Sequence, residues 1–469
     1  MGVSCIVFYS LPIEASKTAI IRGLEVCCCK KVYVLSTSRH SNEVKELCRL
    51  LGRLIGGIEF KALPIIPDVE ESPELINEVA VRLKELGLGK EPACFIASAG
   101  SRLEVASMAL ILDRSLTDVI YVSFLWGPWG GTYYPFTPKP IQLVHILHPG
   151  IEAFNSCTTK LNIRNLEDLL NSSTTSRLRK EVLKSQLLMN YELNTKCVAH
   201  KNDISCKCPK LMVSISYGGR ELISIEISDY CSWDEVIKLC SDLNREVTFL
   251  CDSVNQDVLC STLSTILNVS GIRLLTIKEC MNVKCVNTEG LALIDFLRDI
   301  NDVIIIDTNL IYQGIHNYLY EHPMASNIVS IPLSTYVELY EHQVHASHMN
   351  LYAEVRAELS KLLLTELSYF KPRTEVRATV RPSEVSIALI PEGVAVTSDR
   401  KAYERLYKWL GRRSILTEPT SLSDVRFKSN ERSRRVSYAY YSIAQLKALS
   451  KLLSNVLRKY RLSIDVRLT

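Results

Sequence analysis

Over residues 3–150, short apolar runs alternate with longer amphipathic stretches, and this alternation constrains the fold more than any other feature. Val3–Tyr9, Lys31–Leu35, Ile58–Ile65, Ala93–Ser98, Asp118–Phe124 and Gln142–Leu147 read as strands. Ala15–Val26, Asn42–Ile55, Pro73–Leu86 and Ser101–Leu112 read as helices between them. Strands that alternate with helices imply a doubly wound, mostly parallel sheet, so residues 1–150 are Rossmann-like in class. The first strand-to-helix turn lacks G-x-G-x-x-G, and the chain lacks G-x-x-x-x-G-K-[ST]. These absences argue against a dinucleotide cofactor and a P-loop NTPase.

A second apolar run, Val303–Ile306, is β-branched throughout and reads as a strand buried on both faces. It ends in Asp307-Thr308-Asn309, ahead of an amphipathic segment carrying Leu310, Ile311, Ile315 and Leu319. Further on, Asn327–Pro332 is a strand that leads into Ser334-Thr-Tyr-Val-Glu338, and Gly393–Ser398 is a strand that leads into Asp399. Asp307, Glu338 and Asp399 thus stand at strand-to-helix junctions, and parallel strands would put them on one sheet edge. Converging carboxylates suit Mg²⁺ or Mn²⁺. Each also has a purely structural reading: Asp307 and Asp399 as helix N-caps, Thr335-x-x-Glu338 as a capping box.

The turn Cys94–Arg102 offers Ala99, Gly100, Ser101 and Arg102 between a strand and a helix of small residues. Backbone N–H groups at such a helix start suit an anion, and Arg102 suits a phosphate; a tight turn that merely packs the helix onto the sheet reads the same way. Trp126–Phe136 holds three glycines, two prolines and five aromatics, a loop whose rings either stack on a base or form loop core.

Residues 151–300 hold polar stretches at 155–159 and 171–176, then Cys197, His200, Cys206 and Cys208, four potential ligands within twelve residues that could hold Zn²⁺, though in no standard finger spacing. A hairpin follows, Leu211–Tyr217 and Glu221–Ile227 around Gly218-Gly219, then a helix from Ser232 to Leu243 with a capping box. Strands Val247–Cys251 and Ile272–Ile277 complete a small α/β unit. In residues 301–469, His342, His345 and His348 have helical spacing and are read as helix surface. From Arg400 to Thr469 there are 17 Lys/Arg against 5 Asp/Glu, although the whole chain carries only +4. Arg432, Arg434 and Arg435 precede Tyr438, Tyr440 and Tyr441, a combination that either binds single-stranded nucleic acid or forms one face of an amphipathic helix over Ile443–Tyr460.

No signal sequence and no apolar run of membrane-spanning length is visible, so a soluble, cytoplasmic chain with no membrane partner is expected. Among the 16 cysteines, Cys5, Cys48, Cys94, Cys240 and Cys251 fall in apolar elements and read as small buried hydrophobes, with the redox state left open.

Two resemblances add to this. The Gly100-Ser101-Arg102 turn, and a first strand ending in Tyr9-Ser10-Leu11, resemble the CARF domains of type III CRISPR ancillary proteins over residues 1–150. That family carries [S/T]-G-G-[T/P]-[K/R] here, and this chain has Ala99 where Gly is usual. The resemblance implies a cyclic oligoadenylate bound by a homodimer around Ser10, Leu11, Ala99, Gly100, Ser101 and Arg102. The set Asp307-x-Asn309, Glu338 and Thr397-x-Asp399, with Ser414–Pro419 as a final strand, is similar to PIN nuclease domains over residues 301–422. It implies Asp307, Glu338 and Asp399 as ligands of Mg²⁺ or Mn²⁺, Asn309 orienting water, and Glu384 as the further acid, a Glu where Asp is commoner. Together they imply a sensor domain (1–150), a linker and small α/β unit (151–300) and a PIN-like nuclease domain (301–469). The expected activity is cyclic-oligoadenylate-gated hydrolysis of single-stranded RNA. The alternatives are a toxin-like or RNA-processing PIN nuclease without gating, and a non-enzymatic nucleotide-sensing regulator.

Overall fold

Four consecutive side chains of the first strand, Cys5, Ile6, Val7 and Phe8, are fully buried, as happens when both faces of a sheet are covered. The computed structural model describes residues 3–27, 29–66, 73–85, 91–100, 116–125, 127–148, 175–196, 208–253, 256–272, 303–321, 329–345, 350–370, 373–375, 392–397, 399–411, 414–416 and 430–469, with a few isolated positions between them. Two compact units result. One takes residues 1–125, 131–173 and 186–208, the other 126–130, 174–185 and 209–469.

The first unit is built from β1 (Ser4–Phe8), α1 (Ile13–Cys27), β2 (Lys31–Thr37), α2 (Ser41–Leu54), β3 (Glu59–Ile66), α3 (Pro73–Glu85), β4 (Ala93–Ile96), β5 (Thr117–Phe124) and β6 (Gln142–His148). Strand order is β3-β2-β1-β4-β5-β6. Every pairing is parallel except β5 with β6. The α/β class expected from the alternation is what folds. Chain order reverses between β1 and β4, and such a switch point leaves a crevice at the carboxyl ends of the two strands. One core cluster joins Ile6, Phe8 and Phe95 to Val79 and Leu83 of α3.

Cys5 and Cys94 are direct neighbours in the β1–β4 register. Neither is a free thiol: the disulfides are Cys5–Cys29 and Cys27–Cys94, and Cys251 pairs with Cys260. This corrects the reading of Cys5, Cys94 and Cys251 as plain hydrophobes. Cys48 and Cys240 fit that reading, being buried and free, with burial pushing their thiols up to about 11 and about 12.

The second unit contains α4 (Arg177–Lys196) in its first half, the hairpin β7 (Leu211–Tyr217) and β8 (Arg220–Ile227), α5 (Trp233–Ser253) and α6 (Asp257–Ser270). There follow β9 (Ile304–Ile306), α7 (Thr308–Tyr312), α8 (Ile315–Glu321), β10 (Val329–Pro332), α9 (Leu333–His345), α10 (Leu351–Phe370), β11 (Arg373–Glu375), β12 (Val394–Thr397), α11 (Arg400–Leu410) and β13 (Ser414–Leu416). The chain closes with α12 (Asn430–Leu452), α13 (Ser454–Lys459) and β14 (Leu462–Leu468). The expected strand Val247–Cys251 is instead the end of α5. Val236, Leu239, Cys240, Leu243 and Val247 are buried at helical spacing, and that period carries the helix through the β-branched residue. The expected Ile272–Ile277 strand lies, beyond Ile272, outside the described residues.

Residues 211–227 and the end of the chain share one sheet, since β14 pairs antiparallel with β7 from Leu462↔Tyr217 to Leu468↔Leu211. Residues 209–469, which the expected boundary at 300 divides, fall within one compact unit, while 151–173 and 186–208 go with the first. The larger sheet of the second unit has the order β11-β10-β9-β12-β13 and is parallel throughout. This repeats the pattern of the first sheet, with its own switch point between β9 and β12. Among the described residues no helix is long and apolar enough to cross a membrane.

Candidate functional site

Asp307 and Asp399 follow β9 and β12, the two strands that flank the second switch point, so the crevice lies at their carboxyl ends. Asp307 is buried and caps α7, with Oδ1 accepting from the Thr308 N–H at 2.8 Å. Its Oδ2 accepts from the Thr397 hydroxyl at 2.8 Å and from Asn309 Nδ2 at 3.2 Å. Asp399 is exposed and caps α11, with Oδ1 accepting from the N–H groups of Lys401 at 2.7 Å and Ala402 at 3.3 Å. The cap readings of both acids are thus realised, and in each case one oxygen is not used by the cap.

Glu338 behaves otherwise. Its helix α9 already begins at Leu333, so Thr335 lies inside it, and no capping box forms. Glu338 Oε2 instead accepts from the Thr308 hydroxyl at 2.8 Å, which brings β10's helix to the residue after Asp307. On its other side, Glu338 Oε1 stands 3.8 Å from His342 Nε2. His342 is half-buried against Tyr312, whose hydroxyl is 3.0 Å from Nδ1, so the reading of this histidine as helix surface is corrected. Burial, with help from Arg356, pushes the His342 imidazole down to about 4 despite Glu338.

The structure brings together Asp307, Asn309, Thr308, Thr397, Asp399 and Glu338 through this chain of hydrogen bonds. The ligand oxygens of Asp307, Glu338 and Asp399 do not all lie within 4.8 Å of one another, unlike the sulfurs of Cys5, Cys27 and Cys94. Glu384 lies outside the described residues. Thr308, Thr397 and His342 carry much of the connectivity without having been singled out as site residues; the Thr-x-Asp spelling was the one available signal for Thr397.

At the first switch point, Ser10 follows β1 and Ala99-Gly100 follow β4. The Ser10 N–H donates to Ser16 Oγ at 2.9 Å, and that hydroxyl donates back to Ser10 O at 2.9 Å, which fixes the turn. Leu11 is exposed beside it and Ala99 is buried. Gly100 has φ +101°, and a Cβ there would lie 2.6 Å from Phe8 Cβ, so the turn accepts glycine alone without strain. Ser101 and Arg102 lie outside the described residues. Tyr9, at the same strand end, donates to Glu43 Oε2 at 3.0 Å; burial and then Glu43 push its hydroxyl up to about 12.

Among its described residues the aromatic loop is loop core, not a stacking platform, while Trp126 lies outside the described residues. Trp129 is buried, donates to Ser437 O at 3.2 Å and meets the Tyr441 ring edge-on. Tyr134 is buried and donates to Glu25. Burial opposes charge on Glu25, but Lys139, Arg22 and Tyr134 outweigh it and hold the carboxyl below its usual range.

Two further expectations are corrected. Tyr438, Tyr440 and Tyr441 are buried core residues of α12, and Arg432 is paired with Asp234 at 2.8 Å, so the tyrosines offer no rings to a nucleic acid. Cys208 is disulfide-bonded, which removes the thiolate that a zinc site would need; Cys197, His200 and Cys206 lie outside the described residues. Neither a scan against protein-family models nor a search of curated proteins finds a match to this chain.

Proposed function

We propose that this chain is a nucleotide-gated ribonuclease, in which a cyclic oligoadenylate bound at the first switch point controls phosphodiester hydrolysis of single-stranded RNA at the second. The observation that carries the reading is the Thr397–Asp307 hydrogen bond, which joins two strand ends at the switch point of an all-parallel sheet and leaves Asp399 and Glu338 beside them. A hard divalent cation, Mg²⁺ or Mn²⁺, would activate water and neutralise phosphate charge there. Asp307, Glu338 and Asp399 are the residues to hold it, and Asn309 stands beside Asp307 to orient a water. Substrate is best received by α11, which Asp399 caps and which exposes Arg400, Lys401, Lys408, Tyr407 and Trp409. Cations there neutralise phosphates and the rings stack on bases.

The sensor reading rests on the turn at Ser10, Leu11, Ala99 and Gly100, which stands at the switch point of the first sheet. A ligand there activates only by binding the competent state better than the resting one. In a type III CRISPR antiviral response, that ligand is a cyclic oligoadenylate and the sensor is a homodimer. The test is RNA cleavage by wild type and Asp307→Asn in Mn²⁺, with and without cyclic oligoadenylates. Equal activity of the two proteins overturns the nuclease assignment, and indifference to every oligoadenylate overturns gating in favour of an ungated PIN-like nuclease.

A second reading is a nucleotide-sensing regulator without catalysis. It is favoured by the caps that Asp307 and Asp399 make and by the spread of the three carboxylates. Calorimetry decides between them, since the regulator binds no Mn²⁺.

A further inference from the structure

The hydrogen bonds around His342 fix where its protons sit. A carbonyl only accepts, so Ser360 Oγ spends its single hydrogen on Arg356 O at 2.7 Å. The Tyr312 hydroxyl, in contact with Ser360 Oγ, is therefore the donor of that pair. With its own hydrogen spent, Tyr312 meets His342 Nδ1 at 3.0 Å as an acceptor, and Nδ1 carries the hydrogen. Nε2 of the neutral ring is then a bare lone pair. It faces Glu338 Oε1 across 3.8 Å, with no hydrogen bond between them.

A lone pair and a carboxylate oxygen that face each other at this separation leave a place for a cation. Metal–nitrogen and metal–oxygen bonds of about 2.1 Å each span it with a wide angle at the ion. A ligating imidazole typically donates its other N–H to an oxygen, and Tyr312 provides that oxygen. The remaining Glu338 oxygen is held by Thr308, next to Asp307.

We propose that His342 and Glu338, one turn apart on α9, form a mixed nitrogen–oxygen site for a first-row transition ion, with His342 Nε2 as the nitrogen ligand and Tyr312 as the residue that positions it. The proposal rests on the metal-dependent reading above for what the ion does, and it departs from an all-carboxylate site in its selectivity. Carboxylates alone suit Mg²⁺ or Mn²⁺, whereas an imidazole shifts preference away from Mg²⁺ toward later first-row ions such as Co²⁺ or Zn²⁺, with Mn²⁺ still accepted.

The experiment adds Mn²⁺ alone to the full chain and reads ¹⁴N couplings to the ion by pulsed EPR, beside calorimetry with Mn²⁺ and Mg²⁺. Wild type is expected to show an imidazole coupling. His342→Gln, checked for an unchanged circular dichroism spectrum, is expected to lose it and to bind Mn²⁺ about tenfold more weakly or worse, with Mg²⁺ binding little changed. Tyr312→Phe keeps the coupling and weakens binding, because only the orientation of the ring is disturbed. His40→Gln, a histidine of the first unit, leaves every reading as in wild type. Absence of ¹⁴N coupling in wild type, or its persistence in His342→Gln, overturns the proposal. RNA cleavage in Mn²⁺ without the coupling sinks this inference and spares the nuclease. Coupling together with equal cleavage by wild type and Asp307→Asn does the reverse.

Discussion

The Thr397 hydroxyl donates to Asp307 Oδ2 at 2.8 Å and accepts from the Asp399 N–H at 3.1 Å. One side chain thus ties together two acids that lie far apart in the chain. Because Thr397 is fully buried, its removal leaves the buried Asp307 carboxylate and the Asp399 N–H each short of a hydrogen bond. Thr397→Val keeps the shape and removes the hydroxyl. The expected result is a loss of about 1–3 kcal/mol in denaturant unfolding and a fall of roughly 10–100-fold in RNA cleavage. Thr397→Ser restores most of both, and a Thr397→Val enzyme as active as wild type would detach the hydroxyl from the site.

The Cys27–Cys94 disulfide links the end of α1 to β4 across a sequence separation of 67 residues. Closing a loop of that length restricts the unfolded chain by about 4 kcal/mol in the entropic account. Cys27→Ser is therefore expected to lower the melting temperature of the first unit by roughly 10 °C or more, and a dithiol reductant to act in the same direction on wild type. Cys48→Ser, at a buried free thiol, shows no reductant dependence beyond that of wild type. Melting curves with and without reductant, with thiol counts by mass spectrometry, give the answer. Insensitivity of wild type once its thiols are shown reduced would contradict this account.

How much of this was legible before folding depends on where the determining contact lies. Cys5–Phe8 and Ile304–Ile306 are readable as strands because burial on both faces leaves an uninterrupted apolar run. β14 alternates buried and exposed along Leu462–Leu468, a readable strand pattern, but it lies inside a tail whose excess of Lys and Arg over residues 400–469 points to a binding surface instead. The acids were found by their positions after strands, yet their relative placement depends on the strand order β10-β9-β12, which no local pattern encodes. The role of His342 was hidden for the same reason: its spacing suggests a solvated stripe, whereas Tyr312, itself in contact with Ser360, reaches it only through tertiary packing. Tyr440 and Tyr441 illustrate the converse. Aromatics next to arginines look like a nucleic-acid surface, and here they fill the space between helices, with the Tyr440 hydroxyl donating to Tyr230 O at 2.6 Å.

If α11 receives the substrate, its exposed rings are the place to measure it. Trp409 and Tyr407 are both more than half exposed, whereas Leu406 of the same helix is buried. Base–ring stacking contributes about 1–3 kcal/mol per base. Trp409→Ala is thus expected to weaken binding of a single-stranded oligonucleotide to the catalytically dead Asp307→Asn protein by roughly tenfold or more, with no change in melting temperature. Lys401→Ala and Lys408→Ala are expected to lower the salt dependence of binding as well as its strength. Fluorescence anisotropy at several salt concentrations reads both, and unchanged affinity in Trp409→Ala would move the substrate elsewhere.

Buried His316 sets an acid limit on the second unit. Its imidazole lies between α8 and α12, with Nε2 3.1 Å from Gln445 Nε2, and desolvation pushes it down to about 4 although Gln445 pulls the other way. The unfolded chain would take up a proton near pH 6.5, whereas the folded one resists until about 4. Above pH 6.5 neither state is protonated at this residue, so it contributes no pH dependence there. As pH falls below 6.5 the unfolded state gains a proton that the folded state refuses, so stability declines by up to about 1.4 kcal/mol per pH unit, until the folded ring also protonates. His342, also pushed down to about 4, adds a second contribution of the same sign. Urea unfolding followed from pH 7 to pH 4.5 is expected to show a falling midpoint, and His316→Gln, which fills a similar volume without a titrating ring, to flatten the decline over that window. A decline of equal slope in wild type and His316→Gln would show that other groups govern the acid limit.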